Sequence, residues 1–174
     1  MARMGSRRSG PLAAWRLSSA DYPILDGGGA ARYGARWNSP GRFVVYAAEH
    51  FATAMLEALV HFSIGRLPRK TIAAEIVVPP EIEIKIVEPA DVPGWDDADC
   101  MASRAFGDRW YDEGLAGRRP AVLLVPSAVA PHERYVLINQ RHSRFGSIHA
   151  RPPEPVYWDR RLLAWRDAGV KKPR

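Results

Sequence analysis

The chain has 174 residues, 47% of them hydrophobic and 25% charged, enough for one domain with a proper core and too little for two. No run approaches the roughly 20 apolar residues of a membrane span, and the single cysteine, Cys100, excludes an internal disulfide. The net charge of +6 and pI of about 9.8 suit anionic partners, yet Arg3, Arg7, Arg8, Lys171, Lys172 and Arg174 place much of the excess at the ends.

The first ten residues lack the apolar run of a secretory signal, so they read as a basic tail and the cytoplasm is the expected compartment. We divide the chain into a tail at 1–14, a domain at 15–150 and a Pro-rich basic segment at 151–174. Ala30 to Pro40 reads as loop, rich in turn formers, and Phe43 to Tyr46 as a short strand. From His50 to Phe62 the spacing is helical, with Met55, Leu59 and Phe62 on the inward side and His50, Thr53, Glu57 and His61 opposite; Gly65 and Pro68 end it. Thr71 to Val78 is β-branched, and Ile82 to Ile86 alternates as a half-buried strand does. Pro89 to Asp99 is acidic loop. Ala102 to Leu115 can form a helix with Phe106, Trp110 and Leu115 inward. Ala121 to Val125 fits a strand buried on both faces, Tyr135 to Ile138 another strand, and Arg160 to Arg166 a short helix. The sum is a mixed α+β fold with more strand than helix.

Familiar motifs fail. Gly29 and Gly34 have P-loop spacing, but Ala35 and Arg36 follow where Lys and Ser/Thr belong, and Arg32 occupies the place of the last Rossmann glycine. His50 and His61 are too far apart for a paired metal site, and there is no cysteine cluster, so we expect neither metal nor cofactor. The loop from Gly34 to Gly41 is more informative, because Arg36 among turn residues can present a planar cation to phosphate oxygens. A surface arginine stacked on Trp37 is the plainer alternative. Glu57, in the apolar stretch Ala54 to Val60, can stabilise a developing positive charge or be one more polar-side glutamate. Tyr46 either stacks on a ring or closes a core. Ser127 follows a buried strand without a Gly-x-Ser-x-Gly elbow, which argues against a serine hydrolase. His142 is a general acid–base candidate or a structural histidine.

Gly34-Ala35-Arg36-Trp37-Asn38-Ser39-Pro40-Gly41, then Val45-Tyr46, then Ala54-Met55-Leu56-Glu57 together strongly resemble the RES domain, a family named after an arginine, a glutamate and a serine. Here those correspond to Arg36, Glu57 and Ser127. Trp15-Arg16 resembles the arginine near the family's first strand, Gly107-Asp108-Arg109-Trp110 its middle helix, and Glu133 to Asn139 with His142 its Asn-Pro-x-His segment. Gln140 stands where that segment has proline, and Ala35 replaces a common glycine. The resemblance spans about Trp15 to His149.

The resemblance implies a fold similar to ADP-ribosyltransferase toxins, a split strand-rich core around an NAD cleft. It implies the toxin of a toxin–antitoxin pair, neutralised by an Xre-type antitoxin, which degrades NAD with water or inorganic phosphate; some members transfer ADP-ribose to a protein. NAD and the antitoxin are then the partners, without direct nucleic acid or membrane, and a homo-oligomer within the antitoxin complex is compatible. On that footing Glu57 stabilises the ribosyl cation, Arg36 clamps phosphate with Arg16 assisting, and Tyr46 shapes the nicotinamide pocket. Ser127, Trp37, Asn139 and His142 are the further substrate contacts. A basic nucleic-acid module using exposed Trp37 and Tyr33 is the competing reading of a different class.

Overall fold

The β-branched runs become strands in the computed structural model, which describes residues 11–61 and 70–163. In chain order the elements are β1 (Leu12–Ser19), α1 (Gly28–Tyr33), β2 (Val44–Ala48), α2 (Phe51–His61), β3 (Thr71–Val78), β4 (Ile84–Ile86), α3 (Met101–Leu115), β5 (Val122–Pro126), β6 (Arg134–Asn139), β7 (His149–Ala150) and β8 (Glu154–Pro155). The strands make one eight-stranded sheet in the order β4-β5-β6-β2-β1-β3-β7, with β8 also on β3. The β4–β5 pair is parallel and the other pairs are antiparallel. No helix among the described residues is long and apolar enough to cross a membrane.

Two sets of strands meet at the centre. β1 lies against β3 in full register from Leu12↔Val78 to Ser19↔Thr71, and β2 lies against β6 from Val44↔Asn139 to Ala48↔Tyr135. Between β1 and β2 the register consists of Trp15↔Ala48 alone. The sheet is therefore nearly divided at that line, as the resemblance implied.

Alternation sorts the strand residues between two cores. One face buries Ala14, Val45, Ile76, Leu124, Val136 and Ile138. The other buries Val44, Ala48, Leu123, Val125, Tyr135 and Leu137 beneath Trp37, Trp110 and Tyr111. Residues 122–126 are wholly buried, which matches the apolar run in the sequence.

Several details differ from the sequence reading. Part of the expected loop is helical, since α1 occupies Gly28–Tyr33. β4 is reduced to three residues, although Ile82 is buried. Leu115, expected inward, is 54% exposed at the end of α3. In α2 the buried residues are Thr53 and Ala54, while Met55 and Leu59 are only partly covered. Small side chains let the helix settle closely on β1 and β2, so the side carrying Thr53 and Glu57 faces the protein. Phe62, Gly65, Pro68, both basic ends and the helix beyond Leu163 lie outside the described residues.

Candidate active site

The arginine loop is held by hydrogen bonds rather than by regular structure. Gly34 ends α1 at φ 70°, and Ala35 N–H donates to the Asn38 carbonyl at 2.9 Å. Asn38 is fully buried; its amide donates to the carbonyls of Ala30 and Ser39, each at 3.0 Å, and its Oδ1 accepts from the Tyr46 hydroxyl at 2.7 Å. From α3, the Ser103 hydroxyl donates to the Arg36 carbonyl at 2.7 Å and Arg104 Nε to the Ala35 carbonyl at 2.9 Å. Gly107 allows this approach: a Cβ there would stand 1.8 Å from the Trp37 carbonyl oxygen.

The Arg36 side chain leaves this frame toward the segment before α3, where Nη1 donates to the carbonyls of Trp95 at 3.1 Å and Asp97 at 3.0 Å. Carbonyls orient a guanidinium without cancelling its charge. That charge reaches Glu57 and Tyr135 and favours their ionised forms, a small effect that burial and the Glu57 bond outweigh at Tyr135.

Glu57 is the centre of the group. Its Oε1 pairs with His61 Nε2 at 2.6 Å, one helical turn on, and its Oε2 accepts from the Tyr135 hydroxyl. Burial pushes the carboxyl pKa up, but the hydrogen bonds from His61 and Tyr135 and the charges of His61 and Arg36 outweigh it, leaving Glu57 below its ordinary value. Glu57 is thus held as an anion. His61 is raised in return, mainly by its bond to Glu57. Burial, then the bond to Glu57, holds the Tyr135 proton on its hydroxyl far above neutral pH.

Ser127 completes the set. It directly follows β5, is fully buried, and its Oγ accepts the Ala130 N–H at 3.1 Å. A hydrogen-bonding interaction from Ser127 to the Tyr135 hydroxyl opposes the upward shift of the tyrosine. The Arg36 charge and the Ser127 side chain thus act on the Tyr135–Glu57 pair, although these residues are remote in sequence.

The other expected residues fall elsewhere. The Tyr46 ring is partly exposed, but its hydroxyl lies deep, accepting from Trp37 N–H at 3.3 Å while it binds Asn38, and burial raises its pKa strongly. Trp37 is 1% exposed, stacked on Trp95 and edge-on to Phe106, each at 6.2 Å, so it offers a ligand no ring face. The nucleic-acid reading loses that contact, although Tyr33 is 72% exposed. Arg16 shares the face of β1 with Leu12 and Ala14, opposite the Tyr135 side of the sheet. Its Nη2 donates to the Asp26 carbonyl at 2.7 Å, and burial lowers its pKa to about 10 against the attraction of Asp26.

Asn139 is the last residue of β6 and His142 follows just beyond it, at the end of the strand away from Tyr135. The Asn139 amide donates to the Tyr111 carbonyl at 3.1 Å and its Oδ1 accepts from Arg141 N–H at 3.0 Å. His142 contacts the Arg119 carbonyl and Arg144 N–H, both at 3.1 Å. An open groove of about 670 Å³ near Tyr22, Ile24, Ile72 and Arg151 lies away from these groups and contains none of them. The interacting charged groups gather instead at Glu57.

Sequence reasoning missed Tyr135 and His61 as site residues. The i,i+4 spacing of Glu57 and His61 was a usable signal. Tyr135 gave none beyond standing in an alternating strand.

A toxin of Sphingobium sp., named Prs ADP-ribosylating toxin, is 38% identical over 157 residues, covering 86% of this chain and 95% of that one. A Toxin Res of Pseudomonas putida is 38% identical over 130 residues, covering 74% and 84%. In fold the chain resembles the M. tuberculosis MbcT–MbcA toxin–antitoxin crystal structure, with a TM-score of 0.68, 18% identity and 91% of each chain covered. Residues 13–159 match the RES domain, and the chain belongs to that family, the family of the Res toxins.

Proposed function

We propose that this protein is a toxin that consumes NAD by breaking the bond between nicotinamide and ribose. The observation that carries this reading is the Glu57 carboxylate, bonded by His61 and Tyr135 and held ionised with help from the Arg36 charge. When the glycosidic bond breaks, its electron pair leaves with nicotinamide and positive charge builds on C1′ of the ribose, as in glycoside hydrolysis. A carboxylate kept ionised is the group that stabilises such a cation. Each Glu57 oxygen keeps a second acceptor direction, and one can take a ribose hydroxyl. Arg36 holds the dinucleotide's phosphates. Water or inorganic phosphate then attacks C1′ and loses a proton, which gives degradation.

A second reading, transfer of ADP-ribose to a protein, is favoured by one observation: the Sphingobium relative is named an ADP-ribosylating toxin. Both readings share the bond that breaks and differ in the acceptor. We take the restraining partner to be an Xre-type antitoxin, since the structural neighbour is a toxin in complex with its antitoxin.

Purified protein incubated with NAD labelled in the adenosine part, with and without phosphate and with cell protein, separates the readings. Release of nicotinamide with free ADP-ribose or its phosphorylated form means degradation, and label on a macromolecule means transfer. Glu57→Ala and Arg36→Ala should each lower nicotinamide release by about 100-fold or more while the protein stays folded. A folded Glu57→Ala variant that releases nicotinamide at the wild-type rate sinks the mechanism.

A further inference from the structure

The serine is too deep to touch a substrate. Ser127 is fully buried, its N–H donates to the Glu133 carbonyl at 3.0 Å, and its Oγ accepts from Ala130 N–H. If it affects the reaction, the effect has to be transmitted. Tyr135 is the group placed to transmit it. Its side chain rises from β6 opposite Ala48, it is 7% exposed and its hydroxyl donates to Glu57, while Ser127 lies beside it across the β5–β6 pair, two residues past Val125, the register partner of Tyr135 on β5. The far oxygen of Glu57 is taken by His61. A glutamate on a helix otherwise samples many rotamers, and fixing both oxygens removes that freedom before substrate arrives.

We propose that Tyr135 is a positioning residue that sets the orientation of the Glu57 carboxylate, that Ser127 acts on Glu57 through Tyr135, and that His61 fixes the second oxygen. The inference rests on the reading of Glu57 as the carboxylate facing the ribosyl cation. The groups around Glu57 are His61 on its own helix, Tyr135 on β6 and Arg36 on the loop before β2. Removing the Tyr135 hydroxyl takes away one donor to the anion and leaves the other two groups.

The test uses the whole protein and Tyr135→Phe, which keeps the ring and its packing, with two readouts. Carboxyl-carbon NMR should show Glu57 titrating at higher pH in Tyr135→Phe than in wild type, because a donor to the charged form is gone. In the NAD assay kcat should fall about tenfold, the size of one hydrogen bond to a charged group, with KM within about twofold. Ser127→Ala should lower kcat less, and adding it to Tyr135→Phe should cause no further loss, as expected of groups acting in series. His61→Gln, which keeps a donor, should be milder than His61→Leu.

An unmoved Glu57 titration in Tyr135→Phe overturns the proposal, and so do Ser127 and Tyr135 losses that multiply. If the wild type consumes no NAD, the functional reading falls by itself. The Glu57 titration then still decides whether Tyr135 and Ser127 position the carboxylate.

Discussion

Glu57 and His61 form a pair whose strength depends on pH at both ends. The carboxylate is held below its ordinary 4.5, so its contribution is present above that value and is lost as pH falls through the lowered one. The imidazole is raised above 6.5, so its contribution is complete below that value and is lost as pH rises through the raised one. The pair therefore stabilises fully between pH 4.5 and 6.5. His61 is 72% exposed, which limits the gain to about 0.3–0.5 kcal/mol, the usual range for exposed i,i+4 pairs. The melting-temperature difference between wild type and His61→Gln should be largest in that window and shrink in alkali and in strong acid. An unchanging difference across pH refutes the pairing. Trp37 shows how a single residue misleads: beside an arginine among turn formers it reads as a ligand contact. Trp95 and Phe106, distant in sequence, enclose it instead. Trp37→Ala should cost about 3–5 kcal/mol in equilibrium denaturation, as large aromatic truncations in cores do.

The arginine loop depends on α3 more than on its own sequence. Ser103, Arg104 and Asp108 all bond to its backbone, the last accepting Ser39 N–H at 2.8 Å. Gly107 sets the distance between them. Gly107→Ala pushes a methyl group into the Trp37 carbonyl, so it should destabilise by about 1–3 kcal/mol or more, and NAD consumption should drop with it. A Gly107→Ala protein with wild-type melting and activity contradicts the close approach. β3, β5 and β6 were legible because β-branched alternation and apolar runs specify strands locally. The facing of α2 was not. Its apolar residues surround most of the helix, Leu56 at 46% and Val60 at 65% exposure, so periodicity could not choose a side. Small Thr53 and Ala54 decided it by fitting against the sheet.

Across the molecule, the order of site residues was legible and their pairing was not. The spacing of Arg36, Tyr46 and Glu57 pointed to one site, but the sequence could not indicate that Tyr46 serves the loop while Tyr135 serves the carboxylate. That division follows from register, with Tyr46 beside Leu137 and Tyr135 beside Ala48. Stability should also be uneven. Amide hydrogen exchange should be slowest in β5 and β6, whose residues Val122 to Val125 and Val136 to Ile138 are fully buried, and faster along β1 near Trp15. Uniform protection across the sheet contradicts this.

The lone Trp15↔Ala48 rung means that the two strand sets behave as two leaves sharing one stitch. Substitutions within one leaf should then leave the strand pairing of the other intact, because only this stitch ties β1 to β2.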